Sequence, residues 1–312
     1  MFNYRTNLGK AEFENPIFTA SGCAGSGKEL SQFFNLTELG AVVTKSIMLK
    51  PRSGRATPRM AETPSGMLNS IGLQGPGIDQ FLEVDIPWLH EQGATIVVSI
   101  AGESAEDYAV LARKLRAVPG LAALEVNISC PNVENRGQVF ACHPASARAA
   151  IEAVRRNIGG ELPIIAKLTP DVTSIVEIAQ EVVAAGADAI ALINTVLGMV
   201  IDTNTMRPKL AGKTGGLSGP AIRPIAVRAI YQVHEAMPQV KILGMGGVSS
   251  GRDAFELILA GASAVAVGTA TFGNPTAVIK IKEELKKELI DHGFDSLREA
   301  IGYAHRSEGN LI

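Results

Sequence analysis

Eight short apolar runs, most of them followed by a helical pattern, predict a (β/α)8 TIM barrel, an α/β fold. Strands that alternate with helices form a parallel sheet, and strands this apolar are buried on both faces. The chain has 312 residues, a length within the usual range for one such barrel. No change of composition marks a linker, so we expect a single domain over residues 1–312.

The elements follow one another in a regular order along the chain. The predicted strands span 17–21, 41–45, 94–100, 121–128, 162–167, 187–193, 240–243 and 262–267. The predicted helices span 29–35, 79–92, 104–118, 144–158, 172–185, 220–237, 251–260 and 277–292. Residues 2–16 alternate weakly and predict an N-terminal hairpin.

Three polar excursions interrupt this order, at 51–77, 131–143 and 198–218. In a barrel they lie at the C-terminal face, where active sites are built. Structureless loops of this length are usually functional or disordered. We therefore expect the excursions to be long loops around a site.

The composition excludes several classes of function. A formal net charge of −2 gives no electrostatic basis for binding nucleic acid or an anionic membrane. No apolar run reaches the roughly 18 residues that a membrane-spanning helix needs, and the polar N-terminus has no signal-peptide core. A cytoplasmic protein with no nucleic-acid or membrane partner is the expectation.

The cysteines and histidines do not form a recognisable metal site. Three cysteines are too few for a disulfide framework or for an all-cysteine iron–sulfur cluster, which takes four thiolates. The adjacent Cys142 and His143 supply only two ligands, so we interpret them as loop residues. Cys23, like Cys142, is expected to be a small buried residue. The other histidines are expected on helix surfaces: His90, His234, His292 and His305.

Polar residues and glycines gather after the predicted strand ends, which share one rim in a barrel. The set comprises Ser21, Lys45, Asn69, Ser99, Asn127, Cys130, Lys167, Asn194, Gly246 and Gly268. Carboxamides offer donors and acceptors that match the edge of a planar amide-bearing ligand. A thiol among them, Cys130, is a candidate base or nucleophile.

Two glycine motifs after the last two strands predict a phosphate site. Gly244-Met-Gly-Gly247 and Gly268-Thr269 occupy the positions where barrels commonly bind phosphate through backbone N–H groups. The simpler interpretation is that these glycines only form tight turns. Arg252 and Asp253, which open the next helix, are expected on the surface.

A second glycine-rich stretch does not qualify as a nucleotide-binding loop. Gly22 to Lys28 nearly matches the phosphate-binding pattern of nucleotide triphosphatases, but Glu29 stands where Ser or Thr must reach magnesium. A dinucleotide motif that opens a helix is also missing. The predicted phosphate site, two lysines and several amides instead suit a flavin mononucleotide (FMN). Cys130 would then take a proton while the flavin takes a hydride.

Five motifs, in this order, resemble those of the dihydroorotate dehydrogenase family. They are Asn69-Ser-Ile-Gly-Leu73, Asn127-Ile-Ser-Cys-Pro-Asn132, Ile193-Asn-Thr195, Gly244-Met-Gly-Gly247 and Gly268-Thr269. The resemblance runs nearly end to end. It implies an FMN-binding barrel that oxidises dihydroorotate to orotate in pyrimidine (UMP) biosynthesis.

The resemblance also implies a role for individual residues, with Cys130 as the base that removes the ring C5 proton. The implied substrate contacts are Lys45, Asn69, Ser70, Ile71, Gly72, Leu73, Asn127, Asn132, Asn194 and Thr195. The implied FMN contacts are Ser21, Lys45, Ser46, Ser99, Asn127, Lys167, Ile193, Gly219, Gly246, Gly247, Gly268 and Thr269. Lys167 would lie at the pyrimidine edge of the flavin, and Ser99 stands where an Asn is expected.

The resemblance further implies a subclass and a partner. A cysteine base and a chain that starts directly at the barrel resemble the soluble class, and residues 57–74 resemble its NAD-dependent type. That type passes electrons to a second subunit that carries FAD and a [2Fe–2S] cluster. A homodimer at the core of a heterotetramer is therefore expected.

Other functions stay open on the sequence. The stretch 135–143 resembles dihydropyrimidine dehydrogenase, whose substrates lack the carboxylate, although Lys45 and the asparagines favour orotate. An isomerase or lyase that acts on a phosphorylated substrate would need no flavin. A non-catalytic phosphate-binding subunit is the least favoured interpretation.

Overall fold

A computed structural model describes residues 2–129 and 142–306. These residues contain sixteen strands, eight of which form the barrel. The strands are β1 Thr6–Leu8, β2 Ala11–Phe13, β3 Ile17–Thr19, β4 Val42–Val43, β5 Met60–Thr63, β6 Gly66–Asn69, β7 Ile96–Ile100, β8 Leu121–Asn127, β9 Ile164–Lys167, β10 Ala189–Leu192, β11 Val196–Met199, β12 Ile201–Asp202, β13 Arg207–Pro208, β14 Thr214–Ser218, β15 Lys241–Met245 and β16 Ala264–Val267. Eight of them form one parallel sheet in the order β3-β16-β15-β10-β9-β8-β7-β4.

A parallel bridge between the first and last strands of this order closes the sheet. Phe18 of β3 pairs with Ala41, the residue before β4, and the Thr19 N–H donates to the Ala41 carbonyl at 3.2 Å. The (β/α)8 barrel predicted from the sequence is therefore confirmed. All eight predicted strands are present, with ends that differ by a few residues.

The helices pack around the outside of this barrel. They are α1 Ile78–Gln80, α2 Ile86–Glu91, α3 Ala105–Arg116, α4 Pro144–Ile158, α5 Ile175–Ala184, α6 Arg223–Ala236, α7 Gly251–Leu259, α8 Ala270–Gly273, α9 Ala277–Asp291 and α10 Leu297–Ala300. Ser104, where the predicted helix 104–118 begins, caps α3, because its side chain accepts the Asp107 N–H. Two predicted helices differ: 29–35 is reduced to a 3-10 turn over Leu30–Gln32, and a π-helical turn at Phe81–Asp85 interrupts 79–92.

Side chains along each barrel strand alternate between the interior and the helix layer, since a strand has a period of two. Val97, Ala123 and Ile165 belong to an apolar cluster inside the barrel, to which Leu8 and Phe13 of the N-terminal hairpin contribute. A buried polar layer lies two residues further along the same three strands: Ser99, Glu125 and Lys167. The barrel floor is thus apolar, and polarity begins toward the carboxyl ends.

The first and third excursions are not structureless loops, contrary to the expectation. They contribute β5, β6, β11 and β14 to a four-stranded antiparallel sheet in the order β11-β14-β6-β5. Ala61, Leu68 and Leu210 form a small buried cluster beside it. The polar composition concealed these strands because one face of an antiparallel sheet can stay solvated. Most of the second excursion lies outside the described residues.

The described residues also bear on membrane association. Across residues 2–129 and 142–306, no helix combines the length and apolarity required to cross a membrane.

Substituting Gly251 should destabilise the barrel, because this glycine is the contact point between α7 and α9. A Cβ at Gly251 would lie 2.3 Å from the Glu284 Cβ and 2.5 Å from the Leu285 N. We expect Gly251→Ala to lower the free energy of unfolding by about 1–3 kcal/mol, the scale of overpacking. Urea denaturation would measure it. Gly160→Ala is the control, since no atom lies within 4 Å of its Cβ position; equal stability of the two variants would contradict the prediction.

Candidate active site

A buried ion pair lies below the barrel mouth, between the neighbouring strands β8 and β9. The Lys167 Nζ lies 3.7 Å from the Glu125 Oε1 and donates a hydrogen bond of 2.8 Å to the Ser21 Oγ. Glu125 is fully buried, and Lys167 is 3% exposed. Both charges are removed from water, which is tolerated in proteins when they are paired.

A chain of hydrogen bonds leads from this pair across the barrel. The Ser99 Oγ donates to the Glu125 Oε1 at 2.8 Å, and the Ser46 and Ser99 hydroxyls lie 2.8 Å apart. The Asn127 Nδ2 then donates to the Ser46 Oγ at 2.9 Å. Cofactor contacts and substrate contacts predicted from the sequence are therefore members of one network.

The network continues on the other side of the Asn127 amide. The Ser129 Oγ donates to the Asn127 Oδ1 at 3.0 Å, and the Asn194 Nδ2 donates to the Ser129 Oγ at 2.8 Å. The Tyr108 hydroxyl donates to the Asn127 carbonyl at 2.8 Å. These bonds fix the orientation of two amides on the rim. Cys130 and Asn132 lie outside the described residues.

Asn69 and Thr195 both border Gly216 of the antiparallel sheet. The Asn69 Nδ2 donates to the Gly216 carbonyl at 3.4 Å, and a Cβ at Gly216 would lie 2.0 Å from the Thr195 Oγ1. The absence of a side chain at Gly216 therefore makes room for the Thr195 hydroxyl.

The stretch from Ser70 to Leu73 is held by an arginine. Ser70 is buried, and its Oγ accepts from the Arg55 Nη1 at 2.9 Å, while the Ile71 carbonyl accepts from the Arg55 N–H. Leu73 has a φ of 54°, a left-handed conformation that is strained for a leucine and often occurs at ligand sites. This loop adopts a defined shape beside the rim.

Lys45 is a half-buried cation without an acidic partner among the described residues. Burial lowers its pKa below the ordinary lysine value, and the nearby Arg59 lowers it further, while Cys23 opposes the shift. Lys45 and Ser46 line a cavity of about 410 Å³ together with Arg52, and other wall residues are Gly25, Ser26, Ile47, Gln74, Gly75, Pro76 and Asp85. An anionic group beside Lys45 would satisfy its charge.

The two glycine motifs form a backbone cradle on the part of the rim that follows the neighbouring strands β15 and β16. Gly246 and Gly247 have φ values of 124° and 76°, and a Cβ at Gly247 would lie 2.7 Å from the Arg223 Cβ. In the described part of the chain, the Gly247 and Thr269 N–H groups donate no hydrogen bond to protein. The Thr269 Oγ1 donates to the Ser218 Oγ at 2.8 Å.

The remaining predicted contacts border these groups. A Cβ at Gly268 would lie 3.1 Å from the Cys23 Sγ. Gly219, with a φ of 94°, follows β14 directly, and Ile193 follows β10. Burial raises the pKa of Cys23 to about 11, although Lys167 and Lys45 oppose the shift. Cys23 is thus a protonated thiol at neutral pH and unsuited to act as a base.

Several sequence interpretations need correction. Asp253 is buried rather than exposed, because its carboxylate pairs with Arg223 and accepts from the Ser249 N–H and Oγ. His234 is half-buried, with its ring 4.8 Å from that of His305. Arg252 is exposed as predicted. Lys28, the last residue of the rejected nucleotide loop, pairs with Asp85 at 2.9 Å.

Sequence reasoning missed three polar groups of the site. Glu125 and Ser129 belong to the central network, and Ser218 bonds to Thr269. A signal existed for Glu125, since it is a charged residue inside an otherwise apolar strand. Ser218 could not be found from the sequence because its strand β14 was interpreted as a loop. No group of three or more metal-ligating side chains occurs in the described ranges.

Comparison with known proteins agrees with this geometry. The family model for dihydroorotate dehydrogenase matches residues 4–289. A protein of Desulforudis audaxviator is 49% identical over 95% of this chain and 95% of its own length. Proteins of Desulforamulus reducens (46% identical, 97% and 99% covered) and Trichlorobacter lovleyi (48% identical, 95% and 96% covered) are also similar. Each is named as the catalytic subunit of dihydroorotate dehydrogenase B (NAD(+)). This chain belongs to the dihydroorotate dehydrogenase family.

Proposed function

We propose that this chain is the catalytic subunit of an NAD-linked dihydroorotate dehydrogenase, which oxidises dihydroorotate to orotate in pyrimidine biosynthesis. The observation that carries the proposal is the continuous network from Lys167 to Asn194. It joins a cation suited to a cofactor with amides suited to a planar ring. The names of the similar proteins support the same reaction.

The residues of the rim fit FMN. The N–H groups of Gly247 and Thr269 have no acceptor in residues 2–129 and 142–306 and lie beside glycine backbone, so they suit a phosphate. Lys167 suits the pyrimidine edge of the ring, where a cation stabilises negative charge. When bound, FMN supplies the hydride acceptor. The other proposed contacts are Ser21, Lys45, Ser46, Asn127, Ile193, Gly219, Gly246 and Gly268.

We propose that Ser99 does not contact the flavin directly. Its hydroxyl is already engaged by Glu125 and Ser46 and is fully buried. We therefore assign its contribution to the network beneath the cofactor, where it helps to orient Ser46 and Asn127.

The substrate is proposed to lie among the amides of Asn69, Asn127 and Asn194, whose donors and acceptors match a dihydropyrimidine edge. Lys45 has no acidic partner among the described residues and suits the substrate carboxylate. This charge argument favours dihydroorotate over an uncarboxylated dihydropyrimidine. Further proposed contacts are Ser70, Ile71, Gly72, Leu73, Asn132 and Thr195.

The proton step is assigned to Cys130, which directly follows Ser129, a member of the described network, in the sequence. The ring C5 proton would pass to its sulfur as a hydride leaves the neighbouring carbon. Cys23 is excluded from this role because its pKa is raised to about 11, which keeps the thiol protonated and unable to accept a proton at neutral pH.

A separate electron-transfer subunit is part of the proposal. The similar proteins are named as catalytic subunits of an NAD(+) enzyme, and a catalytic subunit implies another. We propose that the partner carries FAD and a [2Fe–2S] cluster, and that two catalytic chains form the core of a heterotetramer in the cytoplasm.

Replacement of Cys130 should separate chemistry from cofactor binding. We expect Cys130→Ala to retain FMN but to slow its reduction by dihydroorotate at least about 10²-fold, the usual scale for a lost general base. Anaerobic stopped-flow absorbance would measure the rate. Cys142→Ala is the matched thiol control and should behave as wild type. Unchanged reduction in the Cys130 variant would remove this assignment, and a wild-type chain that binds no FMN would refute the proposed function.

Replacement of Lys45 should test the substrate carboxylate. We expect Lys45→Met to weaken orotate at least about tenfold, since a charged hydrogen bond contributes roughly 1.5–3 kcal/mol, and to leave uracil binding nearly unchanged. Titration of the flavin absorbance would give both dissociation constants. Equal losses for the two ligands would mean that Lys45 does not recognise the carboxylate.

The same lysine should make orotate binding depend on pH. The lowered pKa of Lys45 means that its positive charge is lost at a lower pH than for an ordinary lysine, whose pKa is about 10.4. The dissociation constant of orotate should therefore rise with pH below that value. Lys45→Arg, which stays charged, should remove this part of the dependence.

The isolated chain should pass electrons to dyes but not to NAD. The reason is that the NAD site is proposed to lie on the partner subunit. Steady-state assays of the purified chain with dihydroorotate, and either dichlorophenolindophenol or NAD, would measure both activities. Efficient NAD reduction by the chain alone would contradict the need for a second subunit.

A further inference from the structure

Glu125 is a buried carboxylate that the proposed reaction does not use. It is fully buried on β8, and its Oε2 has no hydrogen-bond partner among the described residues. An unpaired polar atom in the interior destabilises a fold, and a buried charge does so more strongly unless it is paired. The adjacent interior positions Val97, Ala123 and Ile165 are apolar, so packing alone does not explain a carboxylate here.

Among the described residues, Glu125 forms an ion pair with one cation. Its Oε1 lies 3.7 Å from the Lys167 Nζ, and Lys167 is otherwise bonded to the Ser21 hydroxyl. A lysine ammonium has three N–H donors. Ser21 takes one of these donors, and Glu125 attracts the ammonium at a distance too long for a hydrogen bond. The remaining donors can therefore serve a ligand on the rim.

We propose that Glu125 is a positioning residue that sets the reduction potential of the bound flavin through Lys167. This inference rests on the proposed function, in which Lys167 lies at the pyrimidine edge of FMN. Lys167 would stabilise the negative charge that a reduced flavin carries at that edge. The Glu125 carboxylate would offset part of this positive field and so lower the reduction potential.

A lowered potential suits the chain's proposed acceptor. NAD is a weak oxidant, so a flavin that holds electrons too tightly cannot pass them on through a partner. Lys167 alone would favour the reduced flavin, which would help its reduction by dihydroorotate and hinder electron transfer to the partner subunit. A carboxylate paired with Lys167 would favour the second step at some expense to the first.

The substitution Glu125→Gln isolates the charge from the shape. An amide has nearly the same size, and its oxygen can still accept the hydrogen bond that the Ser99 Oγ now gives to Oε1. The link through Ser46 to Asn127 can therefore persist. A change in potential would then report the lost charge rather than a collapsed network.

The test is an anaerobic equilibrium titration of FMN in the reconstituted full chain against reference dyes. We expect Glu125→Gln to raise the midpoint potential, with at least a tenfold change in the equilibrium constant, or about 30 mV for a two-electron couple. Asp188→Asn is the matched control. That carboxylate pairs with Arg155 and accepts from the Ile164 N–H at the amino end of β9, so the midpoint should not move.

A double-variant cycle tests whether Glu125 acts through Lys167. If Glu125 acts by offsetting the Lys167 cation, its effect should shrink when that cation is removed. Adding Glu125→Gln to Lys167→Met should therefore shift the midpoint by less than half of the shift that Glu125→Gln causes in the wild type. An equal shift in both backgrounds would overturn the role of Lys167 in the inference.

The outcomes separate this inference from the proposed function. An unchanged midpoint in Glu125→Gln with FMN bound would overturn the inference and leave the dehydrogenase proposal intact. If Glu125→Gln does not fold, Glu125→Asp serves instead. Its carboxylate lies one methylene further from Lys167, so the midpoint should rise, but by less than is expected for Glu125→Gln, and an unchanged midpoint would overturn the inference. Failure of the wild-type chain to bind FMN would overturn both.

Discussion

A closed parallel barrel has a single interior, and every second side chain of each strand must share it. This constraint organises the molecule. Apolar residues fill the floor, and the first polar layer, Ser99, Glu125 and Lys167, lies where the strands approach the mouth. A charge there is shielded from water, so it needs an opposite charge on a neighbouring strand. Glu125 of β8 and Lys167 of β9 form such an ion pair, and the hydrogen-bond network continues from Glu125.

Two sets of rim segments offer different kinds of contact. The segments after β15 and β16 offer backbone N–H groups and almost no side chains, which suits an anion of any origin. The segments after β4, β8 and β10 offer amides, hydroxyls and a lysine whose orientations are fixed by one another. Contacts suited to an anion and contacts suited to a planar ring therefore come from different segments of the rim.

The sequence predicted the barrel and most of the rim because both depend on local patterns. Apolar runs located the strands, and the residues after each run located the site. It could not predict the antiparallel sheet, since β6 pairs with β14 across a separation of 147 residues at Asn69 and Gly216, and polar strands have no marked periodicity. It also missed the partner of Lys167, because an ion pair depends on which strands become neighbours.

The antiparallel sheet has an evolutionary consequence. Gly216 tolerates no side chain while Thr195 keeps its hydroxyl, and Asn69 bonds to the carbonyl of the same glycine. Substitutions in the first excursion therefore have to stay compatible with the third, so the two segments are expected to coevolve. Changing ligand preference by exchanging loops between homologous barrels would require exchanging both excursions together.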